Sequence, residues 1–265
     1  MIRNTLSGKL SRILHLARTE LAVLSGLLVV ALGVLAFAGL ADETFEVGGQ
    51  AFDLAVLAAM RPNADPSDAW GPWWLQVAAA DITALGGIAV LGLFATFVVT
   101  FLLIQGKRLS ALLLVLALAG GVALSEGLKG VFERARPPAV YQAVETLNAS
   151  FPSGHALLST VFYLTVGVLL ARTLPRRRLK IFVLGTAMLI ALLVGATRIY
   201  LAAHWATDVF AGWSVGAAWA MSLWLVAHLI ERRQRARHAA LQDSPNPPPE
   251  LAAPQDPVQP IASEI

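Results

Sequence analysis

Three short stretches of the chain hold the residue types that phosphate chemistry needs. "KGVFERARPP" contributes Lys129, Arg134 and Arg136, "FPSGH" contributes Ser153, Gly154 and His155, and "TRIYLAAHWATD" contributes Arg198, His204 and Asp208. Cations and the free N–H groups of a helix start can hold the oxygens of a phosphate ester, and a histidine can attack its phosphorus. The four-residue spacing of His204 and Asp208 puts them one turn apart if that stretch is helical, so that the carboxylate would orient the imidazole and stabilise its charged form. Taken singly, each residue also has a structural explanation. Lys129 and Arg136 can be cations snorkelling at a helix end, Ser153 a cap after Pro152, His155 or His204 a hydrogen-bonded interfacial residue, and Asp208 the cap of the helix that follows. Those explanations would require the parts to converge by accident.

Convergence depends on the elements that carry them. Of 265 residues, 57% are hydrophobic and 14% charged, against roughly 25% charged in a soluble domain, so lipid is the solvent for most of the chain. Uncharged stretches run over 21–41, 82–106, 109–125, 146–171, 181–197 and 209–230. A crossing takes about 20 apolar residues, which predicts an all-α, polytopic membrane protein with six transmembrane helices. The 109–125 and 181–197 stretches are barely long enough, and Lys129 and Arg198 beyond them are expected at the membrane surface. By the parity of the spans all three polar clusters emerge on one side. Ionisable residues at that depth are costly and mark a functional site by default.

Charge assigns the sides. Fifteen of the twenty Lys and Arg residues fall before the first span, after the second, after the fourth and after the sixth. The positive-inside rule makes those segments cytoplasmic, so both termini are expected inside and the polar clusters outside. Basic runs alternating this regularly with apolar spans are topology determinants rather than a nucleic-acid surface, and no nucleic-acid partner is expected. With no cysteine, disulfides and thiolate metal sites are excluded.

The external connection, residues 42–85, is acidic apart from Arg61. Its "AFDLAVLAAM" and "WWLQVAAADITALGG" read as short interfacial helices, with Trp70, Trp73 and Trp74 suited to the headgroup level. Ala36-Phe37-Ala38 resembles a cleavage site, but the preceding apolar run is longer than a signal core, so the first span is expected to remain. From residue 231 the chain turns basic and then proline-rich, which divides it into a membrane domain at 1–230 and a disordered cytoplasmic tail at 231–265.

Read together, the three stretches resemble the signature of the type 2 phosphatidic acid phosphatase (PAP2) superfamily. It stands here as Lys129, six residues, Arg136-Pro137; then Pro152-Ser153-Gly154-His155; then Arg198, five residues, His204, three residues, Asp208. The likeness covers roughly residues 85–230, with Thr197 where the third motif usually has serine. The resemblance implies a PAP2-like helical bundle at the cell inner (plasma) membrane and a lipid phosphatase that forms a phosphohistidine. His204 would be the nucleophile, Asp208 its orienting partner and His155 the general acid. Lys129, Arg136, Ser153, Gly154 and Arg198 would hold the phosphate; no metal and no cofactor are implied, and Glu126, Glu133, Arg134 and Thr197 stay outside the assignment. The implied partner is a membrane lipid phosphate in the bilayer, undecaprenyl diphosphate first, with phosphatidylglycerol phosphate or phosphatidate next. A lipid phosphotransferase is the nearest rival. A transporter or structural membrane protein would not need the triple motif, and the vanadate haloperoxidases that share the anion site are soluble.

The charge pattern is open to a direct test. A reporter fused after Ile265 should report cytoplasm, and one inserted near Asp65 the external side. The opposite result at both positions would reverse the orientation of the site.

Overall fold

The computed structural model describes residues 2–46, 48–144 and 148–242, with side chains described within 20–237 of these. Among the described residues the fold is helical: α1 (Ile2–Phe45), α2 (Ala51–Met60), α3 (Trp73–Ala84), α4 (Ile88–Ile104), α5 (Arg108–Phe132), a 3-10 turn at Ala139–Tyr141, α6 (Gly154–Thr173), α7 (Arg177–Tyr200) and α8 (Ala206–Gln242). Five helices are long and apolar enough to cross a membrane, and six crossings result when α3 and α4 count as one span bent by 47°. Their outer faces carry large apolar side chains such as Leu24, Phe97, Phe182 and Met188, all mostly exposed, as lipid-facing helices require. The chain forms one compact unit that ends at Leu225 and a second that begins at Val226.

The six-helix expectation holds, but several boundaries differ for physical reasons. The apolar run 82–106 is not one straight helix. It breaks after Ala84, and the break packs tightly: a Cβ on Gly86 would lie 2.4 Å from Val194 Cγ1 and 3.3 Å from His155 Cδ2. The carbonyl of Leu85, freed by the break, accepts the Tyr163 hydroxyl at 2.9 Å. Within the run 146–171 the helix starts at Gly154, since Ser153 takes extended backbone as the cap. Lys129 and Arg198 lie within the last turns of α5 and α7 rather than beyond them, where a cation also complements the helix dipole. At the other end the tail boundary drawn at 231 falls inside α8, which stays helical to Gln242 with Arg235 and Glu231 paired four residues apart at 3.5 Å. Residues 243–265 lie outside the described residues.

Helix α6 is the central element. Its Leu157, Leu158, Val161 and Phe162 form one core with Leu91 of α4 and with Leu114 and Ala117 of α5. Glycines let α8 approach its other side: a Cβ on Gly212 would sit 2.7 Å from the Ser153 carbonyl, and one on Gly216 2.8 Å from that of Leu157. Both positions lie on one face of α8, so its second and third turns rest against the start of α6. Phe37 and Phe45 of α1 surround Phe132, at the end of α5, and the fully buried Phe151. Phe132 and Phe151 meet edge to face with centroids 5.0 Å apart, fixing the chain just before the α6 cap.

Replacing Gly212 by valine should separate α6 from α8, costing about 1–3 kcal/mol of stability as an overpacked contact. Thermal unfolding in detergent checks this against Gly92→Ala, whose new methyl would meet nothing within 4 Å and should leave Tm unchanged or slightly raised. Equal Tm values for the two variants would contradict the close crossing.

Candidate active site

The turn between α7 and α8 presents His204. Arg198 ends its helix run by accepting the N–H groups of Ala203 and His204 on its carbonyl, at 3.0 and 3.3 Å, and Ala202 turns the chain with φ +51°. His204 therefore precedes α8 instead of lying on it, and the expected one-turn helical relation to Asp208 is corrected. The two still meet, because Asp208 is the third residue of α8 and folds back over the entering chain, accepting the Trp205 N–H at 2.9 Å. Asp208 is thus both the helix cap and the acidic neighbour of His204.

The imidazole is held mainly by something else. Its Nδ1 donates to the Ser150 carbonyl at 2.8 Å, while Asp208 Oδ2 stands 3.6 Å away, beyond good hydrogen-bond length. Asp208 acts on the ring by its charge across this gap and helps to position it through Ser150, whose hydroxyl donates to Asp208 Oδ2 at 2.5 Å. With Nδ1 carrying the hydrogen, the lone pair is on Nε2, which faces Arg136 Nη1 at 3.2 Å. Burial pushes the His204 pKa down to about 4; Asp208 opposes the shift, and Arg136 and Arg198 add to it. A ring of this kind is a neutral base at physiological pH, with its lone pair aimed at a cationic surface.

That surface contains the other residues the sequence singled out. Lys129, Arg136, Arg198 and His204 are all charged or ionisable neighbours of His155. Arg136 is anchored through carbonyls, donating from Nε to Asn148 at 2.9 Å and from Nη1 to Ala203 at 2.7 Å. Arg198 is buried, gives one long hydrogen bond to Thr83 at 3.3 Å and leaves its Nε without a partner. An unsatisfied buried guanidinium is costly until an anion arrives. Lys129 pairs with Glu126 at 2.7 Å, yet its Nζ lies 3.5 Å from where a Cβ of Gly154 would be, at the start of α6. Ser153 caps α6 by accepting the Ala156 N–H at 3.4 Å, and its own N–H donates to the Asp208 carbonyl at 2.9 Å. His155 lies against the α3–α4 break, its Nε2 3.9 Å from where a Cβ of Gly87 would be. All eight residues expected in the site converge.

The sequence reading missed several others. Asp53 of α2 is buried and binds Arg134 Nη2 at 2.7 Å, while Arg134 Nη1 donates to Asp208 and, at 2.8 Å, to Thr207. A lone carboxylate in the otherwise apolar "AFDLAVLAAM" was a signal that it needed a buried partner. Ser125 is buried with an unpartnered hydroxyl, which lies 3.0 Å from the Cβ position of Gly154. Neither Ser125 nor Ser150 carries any signal in sequence. A cavity of about 420 Å³ lined by Asp68, Trp73, Gln76, Tyr200 and Leu201, among others, includes none of the eight site residues.

Comparison with known proteins identifies relatives of the chain. Residues 110–232 match the family model of the PAP2 superfamily. Phosphatidylglycerophosphatase B of Bacillus subtilis (strain 168) is 30% identical over 170 residues, which are 62% of this chain and 79% of that protein. An undecaprenyl-diphosphatase of Sulfolobus acidocaldarius is 33% identical over 126 residues, 45% of this chain and 57% of the relative. Among solved structures, the transmembrane PAP2 type phosphatidylglycerolphosphate phosphatase from Bacillus subtilis superposes with a TM-score of 0.70 at 28% identity, over 77% of this chain and 98% of its own.

The state of His204 can be read directly. Nitrogen NMR of histidine-labelled protein in micelles should show the Nδ1–H tautomer, titrating with a midpoint near 4. A midpoint at the ordinary 6.5, or the opposite tautomer, would contradict the geometry derived for this ring.

Proposed function

The chain belongs to the PAP2 superfamily and is a membrane phosphoric ester hydrolase, and on that premise we propose that it removes a terminal phosphate from a lipid through a phosphohistidine at His204. The observation that carries this reading is the lone pair of His204 Nε2, held beside Arg136 while Ser150 fixes the opposite nitrogen. Nε2 attacks phosphorus and the bond to the leaving oxygen breaks. His155 protonates that oxygen, then takes a proton from the water that attacks the phosphoimidazole and releases inorganic phosphate. The Asp208 carboxylate, 3.6 Å from Nδ1, stabilises the ring as it becomes cationic, and its bond to the Ser150 hydroxyl helps to orient it.

Arg136, Arg198 and Lys129 are the groups that carry the equatorial oxygens, joined by the Ser153 hydroxyl and the Gly154 N–H at the head of α6. These are preorganised donors in a dry setting, and they supply the charge stabilisation that phosphoryl transfer requires. Pro152 and Ser153 are fully buried, which leaves the α6 start rigid when the substrate arrives.

For the substrate, phosphatidylglycerol phosphate leads, because the relative that bears that activity in its name is matched over most of its length. Undecaprenyl diphosphate, placed first from sequence, is the second reading, favoured by the shorter match to the undecaprenyl-diphosphatase. Both present a terminal phosphate on a membrane-bound tail, and the apolar helices let that tail stay in the bilayer. The charge pattern supports a site on the external face, with both termini in the cytoplasm.

Purified protein should release phosphate from phosphatidylglycerol phosphate faster than from undecaprenyl diphosphate or phosphatidate, and His204→Ala should lose on the order of 1000-fold or more on every substrate. Rapid quenching should trap an acid-labile phosphoenzyme in the wild type. Wild-type turnover by His204→Ala would remove the phosphohistidine, and phosphate transferred to an alcohol acceptor rather than released would make the protein a transferase.

A further inference from the structure

Two carboxylates share one guanidinium beneath the His204 ring. Arg134 donates through Nη2 to Asp53 Oδ2 at 2.7 Å and through Nη1 to Asp208 Oδ1, and these three side chains are between 0 and 4% exposed. Asp53 is further saturated by Thr207, which donates its N–H at 3.0 Å and its hydroxyl at 2.6 Å. The same hydroxyl accepts from Arg134 Nη1 at 2.8 Å, so Thr207 ties the two charges together. Asp53 comes from α2, outside the three polar stretches, and its hydrogen bonds go to Arg134 and Thr207 rather than to either histidine.

Counting charge shows what Asp53 does. An isolated Arg134–Asp208 pair would be neutral as a unit. Its field at His204 would be that of a dipole, falling off steeply and opposed by the nearby Arg136 and Arg198. With Asp53 present, the three groups carry one net negative charge, and Asp208 presents it 3.6 Å from His204 Nδ1. Attack on phosphorus turns the imidazole into a cation, so this net charge is needed at the moment the Nε2–phosphorus bond forms.

We propose that Asp53 is a positioning residue of the reaction, which neutralises Arg134 so that Asp208 keeps its negative charge for the imidazolium forming at His204. The inference rests on the phosphohistidine reading. It assigns α2 a part in the chemistry and explains why a carboxylate is retained in a helix that is otherwise apolar.

The test restores the charge balance by a second substitution. Asp53→Asn preserves shape and makes the group neutral as a whole; it should lower kcat by about 10- to 100-fold while KM changes by less than about threefold. Arg134→Gln added to Asp53→Asn returns the net charge to that of the wild type, and the double variant should regain about tenfold or more of the lost kcat. A purely structural role predicts the reverse, since the double variant breaks more hydrogen bonds than the single one. Wild-type kcat in Asp53→Asn, or a double variant no faster than Asp53→Asn, would overturn the proposal. Should Asp53→Asn fail to fold, the double variant alone decides: kcat within about tenfold of wild type supports charge balance, and a larger loss rejects it. His204→Ala separates the two readings. If it is inactive while the double variant shows no recovery, only the role of Asp53 falls; if it is active, the phosphohistidine falls first.

Discussion

A charge in an apolar bundle must find its opposite within hydrogen-bond reach, and Arg134 does so twice. Its guanidinium joins Asp53 on α2 to Asp208 on α8, and its own carbonyl accepts the Ser150 N–H at 2.8 Å. Leaving any of these groups unpaired would cost several kcal/mol, of order 3–5 for a broken buried pair. The ends of three separate helical elements are thereby locked to one another before any substrate is considered. The orientation of His204 follows from this, since Ser150 is held by Arg134 through its backbone and by Asp208 through its hydroxyl.

Close backbone approach supplies the second constraint. Gly212 and Gly216 let α8 rest on the carbonyls of α6, and the Ser153 N–H then reaches the Asp208 carbonyl. Two helix starts thus face each other, one offering N–H groups for an anion and the other carrying the carboxylate beside His204. On the far side Gly195 accommodates Trp213 and Gly120 accommodates Trp219, whose indole N–H groups donate to the Ala191 and Ala117 carbonyls. The large aromatic rings fill what the glycines leave open, and α7 and α5 are drawn to the same helix.

Much of this was legible in the residues. Long uncharged runs state helix number and fold class because the bilayer imposes one length on every crossing. The three polar stretches state the location of the site, since charged residues beside apolar helices have few tolerable places. What was not legible depends on tertiary contact. The bend at Gly86 packs against Val194 and His155, neither of which lies near it in sequence. The Ser150 carbonyl bears no residue-type signal, because any residue has one, so the main support of His204 could not be seen. Asp53 and Arg134 were visible as charges, but their pairing was not. The helical spacing assumed for His204 and Asp208 failed because a left-handed turn at Ala202 precedes the helix.

The pairing has a consequence for how such a chain can be made. Asp53 is synthesised 81 residues before Arg134, and Arg134 a further 74 before Asp208. Until each partner arrives, a lone carboxylate or guanidinium has no compensation except water, so the Asp53–Arg134 pair that fixes α2 forms only after α5 is complete. Likewise, the Leu85 carbonyl must wait 78 residues for the Tyr163 hydroxyl that satisfies it. The contacts that fix α2 and the α3–α4 bend therefore form only after later helices have been made.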